Sequence, residues 1–146
     1  MIESVLKLKK NFSLVAGQLD WAPALLSRIT IGFVFIQSGW GKLHHLDKVI
    51  DFFASIGIPA PQIQAPFVSG VELGCGSLVL LGLCTRLAAI PLIGTMVVAI
   101  VTVKMDEAAT ISDFLGFAEY LYIVLLVWLI VKGAGKLSLD ALLFKE

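Results

Sequence analysis

Apolar residues run along this chain in four long blocks separated by short polar breaks. The first covers about Ala22 to Lys42, with Trp21 and Trp40 near its two ends. The second covers about Ala65 to Thr85 and opens with Pro66; the third covers about Leu87 to Val103; the fourth covers about Phe114 to Val131. Each holds about 17–21 residues, enough at about 1.5 Å per residue to cross roughly 30 Å of hydrocarbon. A backbone without water must satisfy its own N–H and C=O groups, so runs of this length read as helices. Tryptophans flanking an apolar run mark the two interfaces of a bilayer. Pro23 falls in a first turn, where a missing N–H costs little, and Pro91 with Gly94 predicts a kink in the third block. The expected fold is an all-α integral membrane protein, a bundle of four transmembrane helices.

Composition strengthens this picture. Of 146 residues, 58% are hydrophobic and 15% charged, and the mean hydropathy is +0.95. Soluble domains hold about 45–50% apolar and about 25% charged residues. The formal net charge is zero, so no bulk electrostatic surface points to nucleic acid. Four spans place both termini on one side. Lys7, Lys9, Lys10, Arg86, Lys132, Lys136 and Lys145 then face Lys42, Lys48 and Lys104, and the excess puts both termini in the cytoplasm.

Two segments outside the spans carry helical patterns. Residues 1–20 mix lysines with Leu6, Leu8, Phe12, Val15 and Leu19 and lack the cleavage pattern of a secretory signal. They read as a cytoplasmic leader, either an amphipathic helix on the membrane surface or a frayed tail. The membrane domain is then 21–146. In the first outer loop, Leu46, Val49, Ile50, Phe53 and Ile56 follow helical spacing, with Asp47 at the start and Gly57 and Pro59 at the end. This predicts a short interfacial helix over the outer mouth of the bundle.

Three ionisable residues fall inside the spans: Arg28, Glu72 and Glu119. Each costs at least about 2.5–3.5 kcal/mol near the bilayer centre, less toward the interfaces. Glu72 and Glu119 both lie about 8–10 Å below the outer boundary, whereas Arg28 enters from the inner side. Lys42 ends the first span on the outer side, and its side chain can snorkel inward, so depth favours Lys42 over Arg28 as the partner of an acid. Glu119 shares a helix face with Gly116 and Tyr122. The expected result is one outer polar layer of Glu72, Glu119, Tyr122 and Lys42. Gly70, Gly74 and Gly76 are the expected close-packing positions of the second span, in a small-x-x-x-small pattern that also suits self-association.

The remaining candidates carry less. Cys75 and Cys84 are about 13–14 Å apart if they share one straight helix, too far for a disulfide. His44 and His45 are adjacent and diverge on a helix, with no third histidine, so no tightly bound metal is expected. Gly133-Ala134-Gly135-Lys136-Leu137 lacks the upstream glycine and the Ser/Thr of a phosphate loop; its glycines instead end the fourth span, and Ser138 caps a terminal turn.

The ordered series Arg28, Gly32, Phe35, Gly39 and Lys42, then Phe52-Phe53 and Gly57-Ile58-Pro59, then Glu72, Gly74, Gly76, Gly82, Thr85-Arg86 and Ala88-Ala89, and finally Gly133, Gly135 and Ser138-Leu139-Asp140, resembles the DoxX family of small bacterial membrane proteins. The resemblance implies a four-helix bundle in the bacterial cytoplasmic (inner) membrane. It also implies an oxidoreductase role, with relatives linked to thiosulfate or quinol chemistry and to oxidative-stress partners. The family's recurrent positions correspond here to Arg28, Lys42, Glu72 and Arg86.

Three readings of the polar layer follow. It is a buried clasp that fixes helix register, a slot for a small amphipathic molecule such as a quinone, or part of a conduction path. A quinone needs an apolar slot open to lipid and a proton-exchanging group at its carbonyl, which a desolvated carboxylate supplies. Arg28, Lys42, Glu72, Glu119 and Tyr122 are the pocket candidates. On the slot reading a redox partner protein supplies the electrons; on the clasp reading the chain is an accessory subunit of a membrane complex.

Overall fold

The computed structural model describes residues 2–19 and 21–144. Its elements in order are α1 (Ile2–Gln18), α2 (Ala22–His44), α3 (Leu46–Ser55), α4 (Pro61–Leu81), α5 (Thr85–Ala99), α6 (Ile111–Gly116), α7 (Ala118–Lys132) and α8 (Leu139–Phe144). A π-helical turn, Ile100–Lys104, and a 3₁₀ turn, Met105–Glu107, extend α5. No strand occurs among the described residues. Among the described residues, three helical stretches are long and apolar enough to cross a membrane: Ala22–His44, Pro61–Leu81 and Thr85–Glu107.

The expected fourth span over 114–131 is not one continuous helix. Thr110 and Asp113 form a reciprocal capping box that starts α6. The chain then turns extended at Phe117, with ψ 135°, before α7 begins. A capping box starts a helix where the apolar pattern alone shows no boundary. At 15 residues, α7 measures about 22 Å.

In the leader, Ile2–Gln18 is helical, and Leu6, Phe12 and Leu19 are exposed. The side chains of Leu8 and Val15, and residues Met1 and Asp20, lie outside the described residues.

α2 and α4 form the central pair. On α2 the buried stripe is Ala24, Ser27, Arg28, Ile31, Gly32, Phe35 and Gly39; on α4 it is Ala65, Ser69, Glu72, Gly76 and Val79. Both follow the three- and four-residue spacing of one helix face. Glycines let the backbones touch. A Cβ on Gly39 would lie 2.5 Å from the Leu73 nitrogen and 2.7 Å from the Ser69 oxygen, and one on Gly76 would lie 2.9 Å from the Phe35 Cβ. The expected packing role of Gly70 and Gly74 is corrected here. Both are exposed, with nothing within 4 Å of a Cβ at either. They sit about 100–200° around α4 from the Glu72–Gly76 face. α5 and α7 complete the core, in which Ile31, Phe35, Val79, Leu92, Leu126 and Leu129 are almost wholly buried. Outward, Leu26, Phe33, Phe67, Leu87, Ile90, Val101 and Val131 are exposed. So much exposed aliphatic surface suits lipid, not water.

The loop after α3 is closed by a Schellman motif. Gly57 takes φ +76° and donates to the Ala54 oxygen, and Ile58 donates to the Phe53 oxygen at 2.9 Å. α3 packs along α4 through Phe53 and faces α5 across a cavity.

Because the α2–α4 contact is backbone on backbone, Gly39→Val should destabilise the detergent-solubilised protein by about 1–3 kcal/mol through overpacking. Gly74→Ala should stay within about 1 kcal/mol of wild type. Thermal unfolding followed by circular dichroism checks both, and equal losses would contradict the packing described.

Candidate functional site

Ser38 and Lys42 stand one turn apart on α2 and face Glu72 on α4. The Glu72 side chain is 1% exposed. Its Oε1 accepts from Lys42 Nζ at 2.6 Å and its Oε2 from Ser38 Oγ at 2.8 Å. Both carboxylate oxygens therefore have a donor, one of them cationic. A buried acid kept this way avoids the several kcal/mol an unpaired ion costs in a dry interior. Ser69 is buried on the same face of α4 and donates to the Ala65 oxygen of its own helix.

The Lys42–Glu72 pair lies at the wall of a cavity of about 600 Å³. α3 contributes Val49, Phe52 and Phe53; α4 contributes Phe67, Val68 and Val71; the α5 side contributes Pro91, Met96, Val98 and Ala99, with Thr102 and Val103 from the π-helical turn. Most of the polar lining is already committed. Thr95 Oγ1 donates to the Leu92 oxygen, Thr102 Oγ1 to the Val98 oxygen and the Gln64 amide to the Pro59 oxygen. That leaves Lys42 and Glu72 at the polar end and the exposed Lys48 as a further cation. An apolar slot of this size with a few convergent polar groups is the usual form of a small-molecule site. The π-helical turn belongs to its wall, and π turns recur at functional sites.

The expected polar layer divides. Tyr122 packs edge-on against Phe35, with ring centroids 6.1 Å apart, and does not line the cavity. Glu119 stands in the first turn of α7, near enough to Lys104 to interact electrostatically, and is also outside the lining. No residue of α7 lines the cavity. Lys104 pairs with Glu107 at 2.7 Å and lies 5.8 Å from the centre of the Phe117 ring.

Arg28 belongs to a different cluster. It is 3% exposed and spends its guanidinium on four backbone carbonyls. Nε donates to Val79 (3.1 Å), Nη2 to Leu80 (2.9 Å), and Nη1 to both Ala134 (3.0 Å) and Leu137 (2.7 Å). The last carbonyls of a helix have no partner within it, and Arg28 satisfies two of α4's while pinning the chain after α7. Gly82 makes room: it takes φ +69°, and a Cβ there would lie 2.5 Å from Arg28 Cζ. Asp140 closes the same end. Its carboxylate accepts from the Cys84 N–H (2.6 Å) and the Thr85 N–H (3.0 Å), capping α5, and its own N–H donates to the Gly82 oxygen (2.8 Å). Ser138 caps α8 by accepting from the Ala141 N–H. Sequence reasoning missed Asp140 and Ser38. The signal for Ser38 was its i, i+4 spacing to Lys42; for Asp140 it was an acid beside glycines just past the last span, facing the N-terminus of α5.

The histidines stay local. His44 and His45 each place Nδ1 against a backbone oxygen four residues back, Trp40 and Gly41 respectively. Cys75 and Cys84 are both free thiols, with Cys84 beyond the end of α4 at φ +49°.

Lys42→Met should leave the buried Glu72 without its cation, at a cost of about 3–5 kcal/mol. Adding Glu72→Gln should recover much of that loss. A double-mutant cycle of denaturation midpoints measures the coupling, and additive losses would count against a direct pair. At the other end, Arg28→Ala should cost about 3 kcal/mol or more by taking a donor away from four carbonyls, and Arg28→Lys should recover only part because an ammonium lacks the fork.

The family model described as DoxX matches residues 24–105. CatD of Bacillus subtilis (strain 168), provisionally named an oxidoreductase, is 36% identical over 123 residues, covering 83% of this chain and 87% of the relative. The uncharacterized membrane protein Rv3486 of Mycobacterium tuberculosis (strain ATCC 25618 / H37Rv) is 39% identical over 131 residues, covering 82% and 80%. The inner membrane protein YphA of Escherichia coli (strain K12) is 29% identical over 121 residues, covering 80% and 86%. No solved structure matches the chain. With a family model spanning more than half its length and relatives of this identity and coverage, the chain belongs to the DoxX family of membrane proteins.

Proposed function

We propose that this protein is the membrane component of an oxidoreductase and binds a quinone in the cavity between α3, α4 and α5. The observation that carries the reading is an apolar cavity of about 600 Å³ whose polar end is a buried carboxylate with a lysine on it. The exposed Phe52, Phe67 and Val98 on its lining give a lipid-soluble ring and tail a route from the bilayer. Lys42 Nζ has donors beyond the one it gives Glu72 and can donate to a quinone carbonyl. Glu72 can take or give the proton that accompanies a change in the ligand's charge. A bound quinone would supply two-electron carrier chemistry, with the electrons exchanged with a partner protein. The oxidoreductase name of CatD is consistent with this assignment.

The proposed topology has four crossings with both termini cytoplasmic, in a bacterial inner membrane. α6 and α7 together make the fourth crossing as a broken helix of about 33 Å. Arg28 and Lys42 lie 14 positions apart on α2, about 21 Å, so the Arg28 cluster sits at the inner end and the cavity at the outer end. α3 then lies in the outer leaflet.

A second reading has its own observation. Both Glu72 oxygens already hold intramolecular donors, as a structural clasp in a non-enzymatic accessory subunit requires. Binding separates the two. A short-tailed ubiquinone analogue should bind the purified protein and protect it against heat. Glu72→Gln should weaken binding by about tenfold, the loss of one charge-assisted hydrogen bond, without unfolding the bundle. Val98→Trp should block the cavity and abolish binding. No binding by wild type, or an effect of Glu72→Gln on folding alone, would assign the clasp.

A further inference from the structure

A second cavity, of about 560 Å³, opens at the opposite end of the bundle and plays no part in the reading above. It is bounded by Trp21 and Pro23 at the start of α2, by Arg86, by Trp128 and Lys132 near the end of α7, and by the returning segment 133–138. Three cations line it, Arg86, Lys132 and Lys136, against one acid, Asp140. Both Asp140 oxygens are taken up by the Cys84 and Thr85 N–H groups. Among the described residues, neither Arg86 nor Lys132 forms an ion pair; Lys132 lies 5.6 Å from the centre of the Trp128 ring. The returning backbone shapes a seat for the guanidinium. Gly133 holds φ +82°, and a Cβ there would lie 3.2 Å from Arg86 Nη2.

We propose that this cavity binds the phosphate headgroup of an anionic phospholipid. Arg86 and Lys132 carry charge of the right sign and form no ion pair among the described residues. The two tryptophans are the side chains that settle at the lipid–water boundary, which places the cations at headgroup depth. Basic cavities between membrane helices at that depth take anionic headgroups. Arg86 offers the planar fork that matches two phosphate oxygens, and Lys132 supplies a second charge. A soluble phosphate compound satisfies the same cations but gains nothing from the tryptophans or from the exposed Leu87 and Val131 beside Arg86 and Lys132; an acyl chain does.

Native mass spectrometry of the full chain in mild detergent tests this, with phosphatidylglycerol and phosphatidylcholine supplied in equal amounts. Wild type should retain phosphatidylglycerol preferentially. The double variant Arg86→Gln/Lys132→Gln should lose that preference by roughly 30-fold, two interfacial charges' worth. Arg86→Lys/Lys132→Arg should keep most of it. Thermal unfolding in phosphatidylcholine should be unchanged in the glutamine variant, which separates lost binding from lost folding. Equal retention of the two lipids by wild type, or undiminished preference in the glutamine variant, would overturn the proposal. So would inorganic phosphate at millimolar concentration displacing the lipid completely, because the ligand would then be a soluble anion.

Discussion

A chain this apolar must satisfy every polar group from within itself, and the Arg28 guanidinium does the largest share of that work at one end of the bundle. One side chain meets two carbonyls at the end of α4 and two in the segment after α7. It thereby joins the first long apolar helix to both the second and the C-terminal return. Asp140 meets the complementary need, the unpaired N–H groups that begin α5. Donor and acceptor deficits at neighbouring helix ends are thus met by one cation and one anion. The charges are held near each other, yet neither depends on the other for a direct hydrogen bond.

The other end of α2 is arranged on the opposite principle. There the charged contact is side chain to side chain, and a cavity lies beside it. Gly39 brings α2 against α4 until backbones touch, and this fixes Ser38 and Lys42 over Glu72. α3, packed along α4 through Phe53 and closed by the motif at Gly57, faces α5 across the space that remains. The π-helical turn at Ile100–Lys104 lengthens the α5 wall where a regular helix would present different side chains.

The fold was legible where periodicity and depth decide it. The blocks at 22–42 and 87–103 coincide closely with α2 and the extended α5, and the loop helix with its glycine stop is where the pattern put it. Depth along the spans favoured Lys42 over Arg28 as the acid's partner, and Lys42 is the residue on Glu72. What failed did so for local reasons. α4 starts at Pro61, ahead of the expected Ala65, because Ala60 takes φ +49° and hands the chain to a proline at the first turn. It stops at Gly82 because the left-handed cap comes before Thr85. The break at Phe117 lies inside an apolar run, where hydropathy is silent, and no side chain caps the start of α7 there. Gly70 and Gly74 fit a packing motif, but a motif does not say which face of α4 the rest of the chain covers.

The two charged anchors of α2 differ in how they would survive sequence change. Lys42 holds the Glu72 carboxylate, to which Ser38 also donates, so a change at position 72 alters what Lys42 needs. Arg28 holds only main-chain oxygens, and every residue carries one of those. Its neighbours at 79, 80, 134 and 137 are free to drift so long as the backbone path is kept. Correlated substitution among homologues would therefore register the Lys42–Glu72 contact and be blind to the Arg28 one, although the latter binds more of the chain together.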